Sequence, residues 1–365
     1  MTQTWRFRTV ARRAFPFLLA AIPVAPSLLT LPVPARAADV LNASTGDEVS
    51  AVFEKAKPAV VKVRSGDDHF ALAGSGFFID SKGTVLTSST VVGNNGAVTV
   101  EVNGAQMEAK VLGNDPRSGL AMLRVSYNAA PFLPLGHSLD LKTGNEVVGI
   151  GYPLNLPVAA SQGLVNGFEV RYLNQFFATT HIHASASLSP GEVGGPLLNA
   201  RGEVIGLVVP SPDDGRTTYA LPVEAMQKII ADFNQYGCAK HGWVGVNVVE
   251  SKDVNLDGRS VRVVQIEPTA PASKSGIKPG DTVMRIDSYE IYRPSDVLDA
   301  SFFSHVGGTM NVLVRRDAKM LSYNFPVIER PQNHFAPAQP TQPVVHGAGS
   351  SAQPIVINHG ASGSQ

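Results

Sequence analysis

From about Val60 to Pro222 the chain is cut into short apolar runs separated by turn signals. AVVKVRS, GFFID, TVLTS, VTVEV, AMLRVS, EVVGIGY, LVNGFEVRYL, ATTHIHAS, PLLN and VIGLVVP follow one another in order. Short runs at even spacing read as strands. Asn103-Gly104 stands between two alternating runs and is a two-residue hairpin signal. Asp80-Ser81-Lys82-Gly83 and Asn199-Ala200-Arg201-Gly202 have turn composition. So many short strands predict antiparallel sheet closed into barrels or packed as a sandwich. A helix is expected before them, from about Gly46 to Lys57, stopped ahead of Pro58. Another is expected after them in VEAMQKIIADFNQYG, which has helical apolar spacing and a terminal glycine.

A second unit starts at Gly242. Its runs GWVGVNVVE, VRVVQIE, DTVMRIDSYEI, TMNVLVRR and LSYNFPVI predict strands, with one helix near Ser295 to Ser304. Its span of 87 residues, 242 to 328, is enough for a small β-rich domain. Beyond Arg330 the chain is rich in Pro, Gln, Ser and Gly with few apolar anchors, a composition expected to stay disordered.

The N-terminus reads as an export signal. Basic residues precede an apolar run from Phe15 to Leu31, and Ala35-Arg36-Ala37 before Ala38 has the A-x-A cleavage pattern. Prolines at 16, 23, 26, 32 and 34 argue against a continuous membrane-spanning helix. Arg12-Arg13 also fits a twin-arginine signal, and one short match does not choose the export route. Residues 1 to 37 hold five arginines and no acid, so without them the neutral chain keeps 25 basic against 30 acidic residues. That mild negative balance points to no nucleic-acid partner. The single cysteine, Cys238, cannot form an intrachain disulfide, so an exported chain of this kind relies on its core.

The stretch SPGEVGGPLLN, residues 189 to 199, poses the functional question. Its glycine turn is suited to hold a reacting group against backbone N–H donors, yet its central residue is Val193, which has no nucleophile. The succession GSGFFIDSKGTVLTSSTVV, DPRSGLAMLRV, LPLGHSLDLKTGNEVVGIGYPL, PGEVGGPLLNARGEVIGLVV and YALPVE resembles the trypsin-like protease domain of the HtrA (Deg) family of bacterial periplasmic proteases. PTAPASKSGIKPGDTVMRIDSYEI resembles the first PDZ domain of that family. The resemblance implies an all-β dominated fold, a trypsin-like double β-barrel followed by a PDZ domain, itself a small β-barrel with helices. The expected segments are a signal peptide over 1–37, a protease-like domain over 46–236, a PDZ domain over 242–328 and a disordered tail over 329–365.

The family's catalytic pattern is where this sequence departs. Thr90 stands at the family's histidine, Gly119 at its aspartate and Val193 at its serine. Valine cannot attack a carbonyl, threonine is no base at neutral pH, and glycine orients nothing. No catalytic residue is therefore assigned. By the same resemblance the backbone N–H groups of Gly191 and Val193 would form a residual oxyanion hole, since backbone donors survive side-chain replacement. For peptide binding it implies Trp243, Val244, Gly245 and Val246 as loop and strand, with Val297 and Leu298 on the facing helix. PDZ domains bind a partner's C-terminus or an extended segment as an added strand.

Other polar groups offer weaker alternatives. His181 and His183 share a strand face without a local acid or cysteine, so packing is expected rather than a metal site. The hydroxyls of Thr87, Ser88, Ser89 and Thr90 read as a polar strand end, and Asp115 before Pro116 as a turn cap. His69, His137, His241 and His305 form no readable constellation, and no phosphate-loop or dinucleotide motif is present, so no cofactor is expected. The expectation is an exported, periplasmic HtrA-like pseudoprotease that binds unfolded or C-terminal segments of envelope proteins. It would act as adaptor, regulator or holdase, in a homotrimer or a mixed oligomer with an active relative. The alternatives are an active serine-type endopeptidase using a nucleophile such as Ser189, and a structural envelope scaffold.

Overall fold

A computed structural model describes residues 36–67, 70–93, 97–172, 175–211, 216–251 and 258–331. Met1–Asp47 forms a unit of its own, described only in the opening turns of helix α1 (Arg36–Ala56). This helix begins about ten residues earlier than the sequence implies. The expected signal peptide lies outside the described residues except for Arg36 and Ala37, which already belong to it.

Within the second unit, Glu48–Gln365, two six-stranded antiparallel barrels follow one another. The first consists of β1 (Val60–Asp67), β2 (Phe70–Phe78), β3 (Thr84–Ser88), β4 (Val98–Val102), β5 (Ala105–Asp115) and β6 (Leu120–Val125), in the order β1-β2-β3-β6-β5-β4. Asn103 and Gly104 both take positive φ, and their turn pairs Val102 with Ala105 across the expected hairpin. The second barrel consists of β7 (Glu146–Gly151), β8 (Ala159–Tyr172), β9 (Gln175–Ala184), β10 (Pro196–Leu198), β11 (Val204–Val209) and β12 (Thr218–Pro222). Its order is β10-β11-β12-β9-β8-β7. Two strands had no run of their own in the sequence reading. β5 alternates polar residues with Met107, Ala109 and Val111, and β12 is the five-residue TYALP segment.

Closure removes free sheet edges, and the alternating pattern then fills each barrel with one face of its strands. Val63, Phe78, Val85, Val100 and Leu123 fill the first, and Val147, Val165, Ile182, Leu197 and Ile205 the second. A third cluster occupies the seam between them, where Phe77, Leu86, Leu120, Ile150, Leu198, Leu207 and Leu221 pack together. Helix α3 (Val223–Tyr236) lays Met226, Ile229 and Phe233 on that cluster and stops at Gly237, which is left-handed at φ 72°. Gly113 leaves room for the Phe233 ring, since a Cβ there would lie 2.4 Å from it.

The PDZ unit contains β13 (Gly242–Trp243), β14 (Val246–Glu250), β15 (Val261–Ile266), β16 (Thr282–Ile286), β17 (Tyr289–Glu290), helix α4 (Pro294–Phe303), β18 (Thr309–Arg316), β19 (Lys319–Pro326) and β20 (Ile328–Glu329). GWVGVNVVE is therefore two strands, broken where Gly245 turns at φ 78°. DTVMRIDSYEI is also two, broken at Asp287, whose φ is 49°. β20 pairs Glu329 with Gly242, so the ordered domain extends past the expected end at 328 into the segment assigned to the tail. The rest of that tail, from 332 on, lies outside the described residues.

Candidate functional site

The three positions expected to hold a catalytic triad meet at the seam of the barrels. Thr90 sits on the short helix α2 (Ser89–Val92), where Ser88 caps the turn and its hydroxyl lies 2.8 Å from the Thr90 hydroxyl. The Ser89 N–H donates to the Gly119 carbonyl at 2.8 Å, stitching this turn to the β5–β6 connection. Gly119 is left-handed at φ 82°, and a Cβ there would lie 3.2 Å from a Val209 methyl. Val193 packs its side chain on the core of the first barrel, and its carbonyl accepts from the Ser75 N–H at 2.9 Å. Gly194 follows at φ 87° because only a bare Cα fits: a Cβ would lie 2.3 Å from the Ser75 carbonyl and 2.7 Å from Ser88 N. The fold thus brings a threonine, a glycine and a valine to one place, with no base or carboxylate among those three and only the Thr90 hydroxyl, which lies 2.8 Å from the Ser88 hydroxyl, as a reactive group.

The turn around Val193 is tied down on its other side. Ser75 Oγ donates to the Gly191 carbonyl at 2.7 Å and accepts from the Tyr152 N–H at 2.9 Å. The Leu154 N–H donates to Pro190 at 2.7 Å, from a turn in which Leu154 and Asn155 both take positive φ. Lys62 and Arg64 hold that turn through the Asn155 carbonyl and side chain. Neither the Gly191 nor the Val193 N–H has an acceptor among the described residues. Between them, Glu192 is buried, 2% exposed. Its Oε2 accepts from the Ser189 N–H at 2.6 Å and its Oε1 has no partner. Burial pushes its carboxyl above the usual carboxylate range, and the Ser189 N–H only partly offsets that.

The histidines lie apart from this turn's hydrogen bonds. His181 is buried and stacked on Phe177 at 4.1 Å, its Nδ1 2.8 Å from the Thr179 carbonyl. Burial lowers its pKa to about 4, with the Thr179 contact opposing. His183 stacks on Tyr219 at 4.8 Å, and its Nε2 is buried without a partner. Two residues gain partners that the sequence did not signal. His241 Nε2 lies 3.0 Å from the Asp115 carboxylate, which also caps its own turn through the Arg117 and Ser118 N–H groups. His241 is therefore not one of the scattered histidines. Asp299, on α4, takes three hydrogen bonds from Thr179 and Thr180 on β9.

In the PDZ unit β14 is an edge strand, paired only with β15. Ahead of it the Val244 carbonyl accepts from Ala272 at 3.1 Å and the Gly245 carbonyl from Glu267 at 2.9 Å. Gly245 lies so near Ala270 that a Cβ would be 2.0 Å from that methyl. Trp243 is buried in β13 opposite Ile328. Val244, Val246 and Val297 rest against the domain core, and Leu298 is half-buried on α4. Among the described residues no cluster of acids, histidines or cysteines suits a metal ion, and no helix is long and apolar enough to cross a membrane.

Comparison with known proteins fits this geometry. The trypsin-like peptidase domain model matches residues 74–207 and the PDZ domain model residues 242–327. The chain is similar to a putative serine protease HhoB of Synechocystis, 29% identical over 269 residues that cover 67% of this chain and 64% of the relative. It is also similar to a probable periplasmic serine endoprotease, DegP-like, of Pseudomonas fluorescens: 30% identical over 279 residues, 73% of this chain and 58% of the relative. The chain thus spans less than two thirds of the length of these relatives. Among solved structures it superposes on the HtrA-type protease AlgW with tripeptide at a TM-score of 0.70, with 23% identity over 78% of this chain and 97% of that one. The serine endoprotease from Yersinia pestis gives a TM-score of 0.61 at 24% identity, over 78% and 98% of the two chains. This chain joins a trypsin-like peptidase domain to one PDZ domain, and its relatives are named as DegP-like and HtrA-type serine proteases.

Proposed function

We propose that this chain is an HtrA-type pseudoprotease that binds extended or C-terminal peptide segments through its PDZ domain. The observation that carries the reading is the convergence of Thr90, Gly119 and Val193 at one seam, where peptide hydrolysis needs a base, its orienting acid and a nucleophile. The backbone supports it as well. The left-handed φ of 82° at Gly119 is one that glycine takes freely and an aspartate less readily. Among the described residues the Gly191 and Val193 N–H groups have no acceptor, so the turn has donors for a carbonyl or carboxylate although no nucleophilic side chain stands at 193.

Peptide binding follows from the free edge of β14, to which a further strand can be added, with Val246 and Val297 supplying apolar walls. AlgW carries a tripeptide and a decapeptide in its solved structures, which supports the same use here. Export to the periplasm agrees with the basic and apolar N-terminal segment and with relatives named periplasmic. In that compartment the chain would act as an adaptor or holdase in envelope quality control, as a homotrimer or mixed with an active relative.

The experiment incubates the mature protein with unfolded casein beside a variant carrying Thr90→His, Gly119→Asp and Val193→Ser. The thermal midpoint of the variant is measured too, because Gly119→Asp enters a left-handed position. Labelled decapeptides with an apolar last residue, one with a free carboxylate and one amidated, report binding. The expected result is no cleavage by the unaltered protein, with binding of the free-carboxylate peptide only. Casein cleavage by the unaltered protein would overturn the pseudoprotease reading and direct attention to Ser189, whose hydroxyl bonds to no described histidine.

A further inference from the structure

The end strands of the PDZ sheet, β14 and β19, each have an unpaired side among the described residues. At the β19 end the Tyr323 hydroxyl and Arg316 both bond the Gly276 carbonyl, holding the 271–276 segment against the sheet. The β14 edge is flanked by apolar groups instead. Val246 and Val248 point to the core yet are only half-buried, as is Val297 of α4. Val249, on the other face of β14, is 45% exposed. A row of unpaired backbone donors and acceptors therefore runs beside half-exposed valines, an arrangement that invites a further strand.

The chain leaves the PDZ unit close to this edge. β20 pairs Glu329 with Gly242, and the Arg330 N–H donates to the His241 carbonyl at 2.9 Å. His241 precedes Val246, the first residue of β14, by five residues, at most about 18 Å of backbone. Residues 331–365 contain no Asp, Glu, Lys or Arg. Apart from alanine and proline their apolar residues are Phe335, Val344, Val345, Ile355, Val356 and Ile357, and only the last three form a run of three. Consecutive β-branched residues suit a strand, in which Ile355 and Ile357 share one face and Val356 takes the other. Between Pro331 and Ile355 lie 23 residues. A linker of that length spans about 25 Å root-mean-square, which matches the path from the exit point to β14.

We propose that Ile355-Val356-Ile357 of this same chain is the resident occupant of the β14 edge, added as a strand between β14 and α4 and displaced by partner peptides. This rests on the reading of that groove as a peptide site and adds its regulation. Ile355 and Ile357 then lie against Val246, Val248 and Val297, and Val356 shares the outer face with Val249. The segment brings no charge into the groove, so burying it carries no charge-desolvation cost. Tethered by a linker matched to the span, it acts at an effective concentration of about 1 mM. An external peptide binds only by displacing it.

The test titrates a decapeptide with an apolar last residue and a free carboxylate into three full-length proteins. These are the unaltered chain, the double variant Ile355→Asp with Ile357→Asp, and Val344→Asp, which lies outside the run. None of the substitutions touches a described residue. The expected result is about tenfold tighter binding by the double variant than by the unaltered chain, with Val344→Asp unchanged. A capped peptide of residues 352–360 should compete with the decapeptide for the double variant. Equal affinity in all three proteins, the same gain in Val344→Asp, or no competition by the capped peptide overturns the occupant and leaves the groove a peptide site. No decapeptide binding by any of the three overturns the peptide-site reading itself, and the occupant with it. Titrations at several protein concentrations separate the chain's own segment from that of a second copy. A decapeptide affinity of the unaltered chain that weakens as protein concentration rises would assign the segment to the second copy and overturn the proposal.

Discussion

Asp299 accepts from the Thr180 N–H at 2.7 Å and from the Thr180 hydroxyl at 2.6 Å, and from the Thr179 hydroxyl at 2.5 Å. One carboxylate on the helix of the PDZ unit is thus fixed to strand β9 of the second barrel. Phe302, one turn further along α4, enters the apolar seam between the barrels. The helix therefore has two roles, closing the PDZ core with Ala300 and anchoring that domain to the protease-like unit.

Removing this carboxylate leaves two hydroxyls and an N–H without their acceptor. Asp299→Ala is expected to destabilise the protein by about 2 kcal/mol, within the range for hydrogen bonds to a charged group. Asp299→Asn, which keeps one acceptor oxygen, should lose less. Thermal denaturation of the two variants measures the difference. Limited proteolysis near Cys238 should accelerate in the alanine variant if the domains part.

The Asp115–His241 contact sets an acid limit. Burial raises the Asp115 carboxyl, but the hydrogen bond and charge of His241 and the bonds from Ser118 outweigh it and hold the group below its ordinary 3.8. A carboxylate depressed in the folded state contributes stability above its unfolded value, and that stability is lost as pH falls through the folded value. The contribution of Asp115 is thus intact above about pH 4 and fades below it. Asp115→Asn should flatten the acid limb of an unfolding titration and lower the midpoint at neutral pH.

Glu192 runs the other way. Burial is the main cause of its raised carboxyl, so the folded state favours the protonated form. Its contribution is fully present below the ordinary 4.5 and is lost as pH rises through the raised folded value. Glu192→Gln keeps an oxygen for the Ser189 N–H and removes the charge. It should raise the melting temperature at neutral pH and change little at pH 4, which a pair of melts at the two pH values decides.

Gly194 tests whether the turn is held by its neighbours. Gly194→Ala would set a methyl 2.3 Å from the Ser75 carbonyl at φ 87°. The expected cost is about 3 kcal/mol, from steric overlap and an unfavourable backbone region together. Urea denaturation of the variant gives the value, and a cost near zero would mean that the turn moves freely.

The sequence by itself determined the order of strands, the hairpin at Asn103-Gly104, the stop of α3 at Gly237 and the residue types at positions 90, 119 and 193. Each of these is local: alternation fixes which face of a strand is apolar, a glycine permits a positive φ, and a side chain either carries a reactive group or does not. β5 and β12 were harder to read, since polar residues dilute the alternation of the first and the second is only five residues long. Tertiary structure alone decided that Asp299 reaches Thr180 across 119 residues and that His241 meets Asp115 across 126. A hydrogen bond forms only within about 3 Å, and no local pattern brings residues from separate domains to that distance. The relative placement of the barrels and the PDZ unit does so, and it is set by the whole of the seam rather than by any single motif.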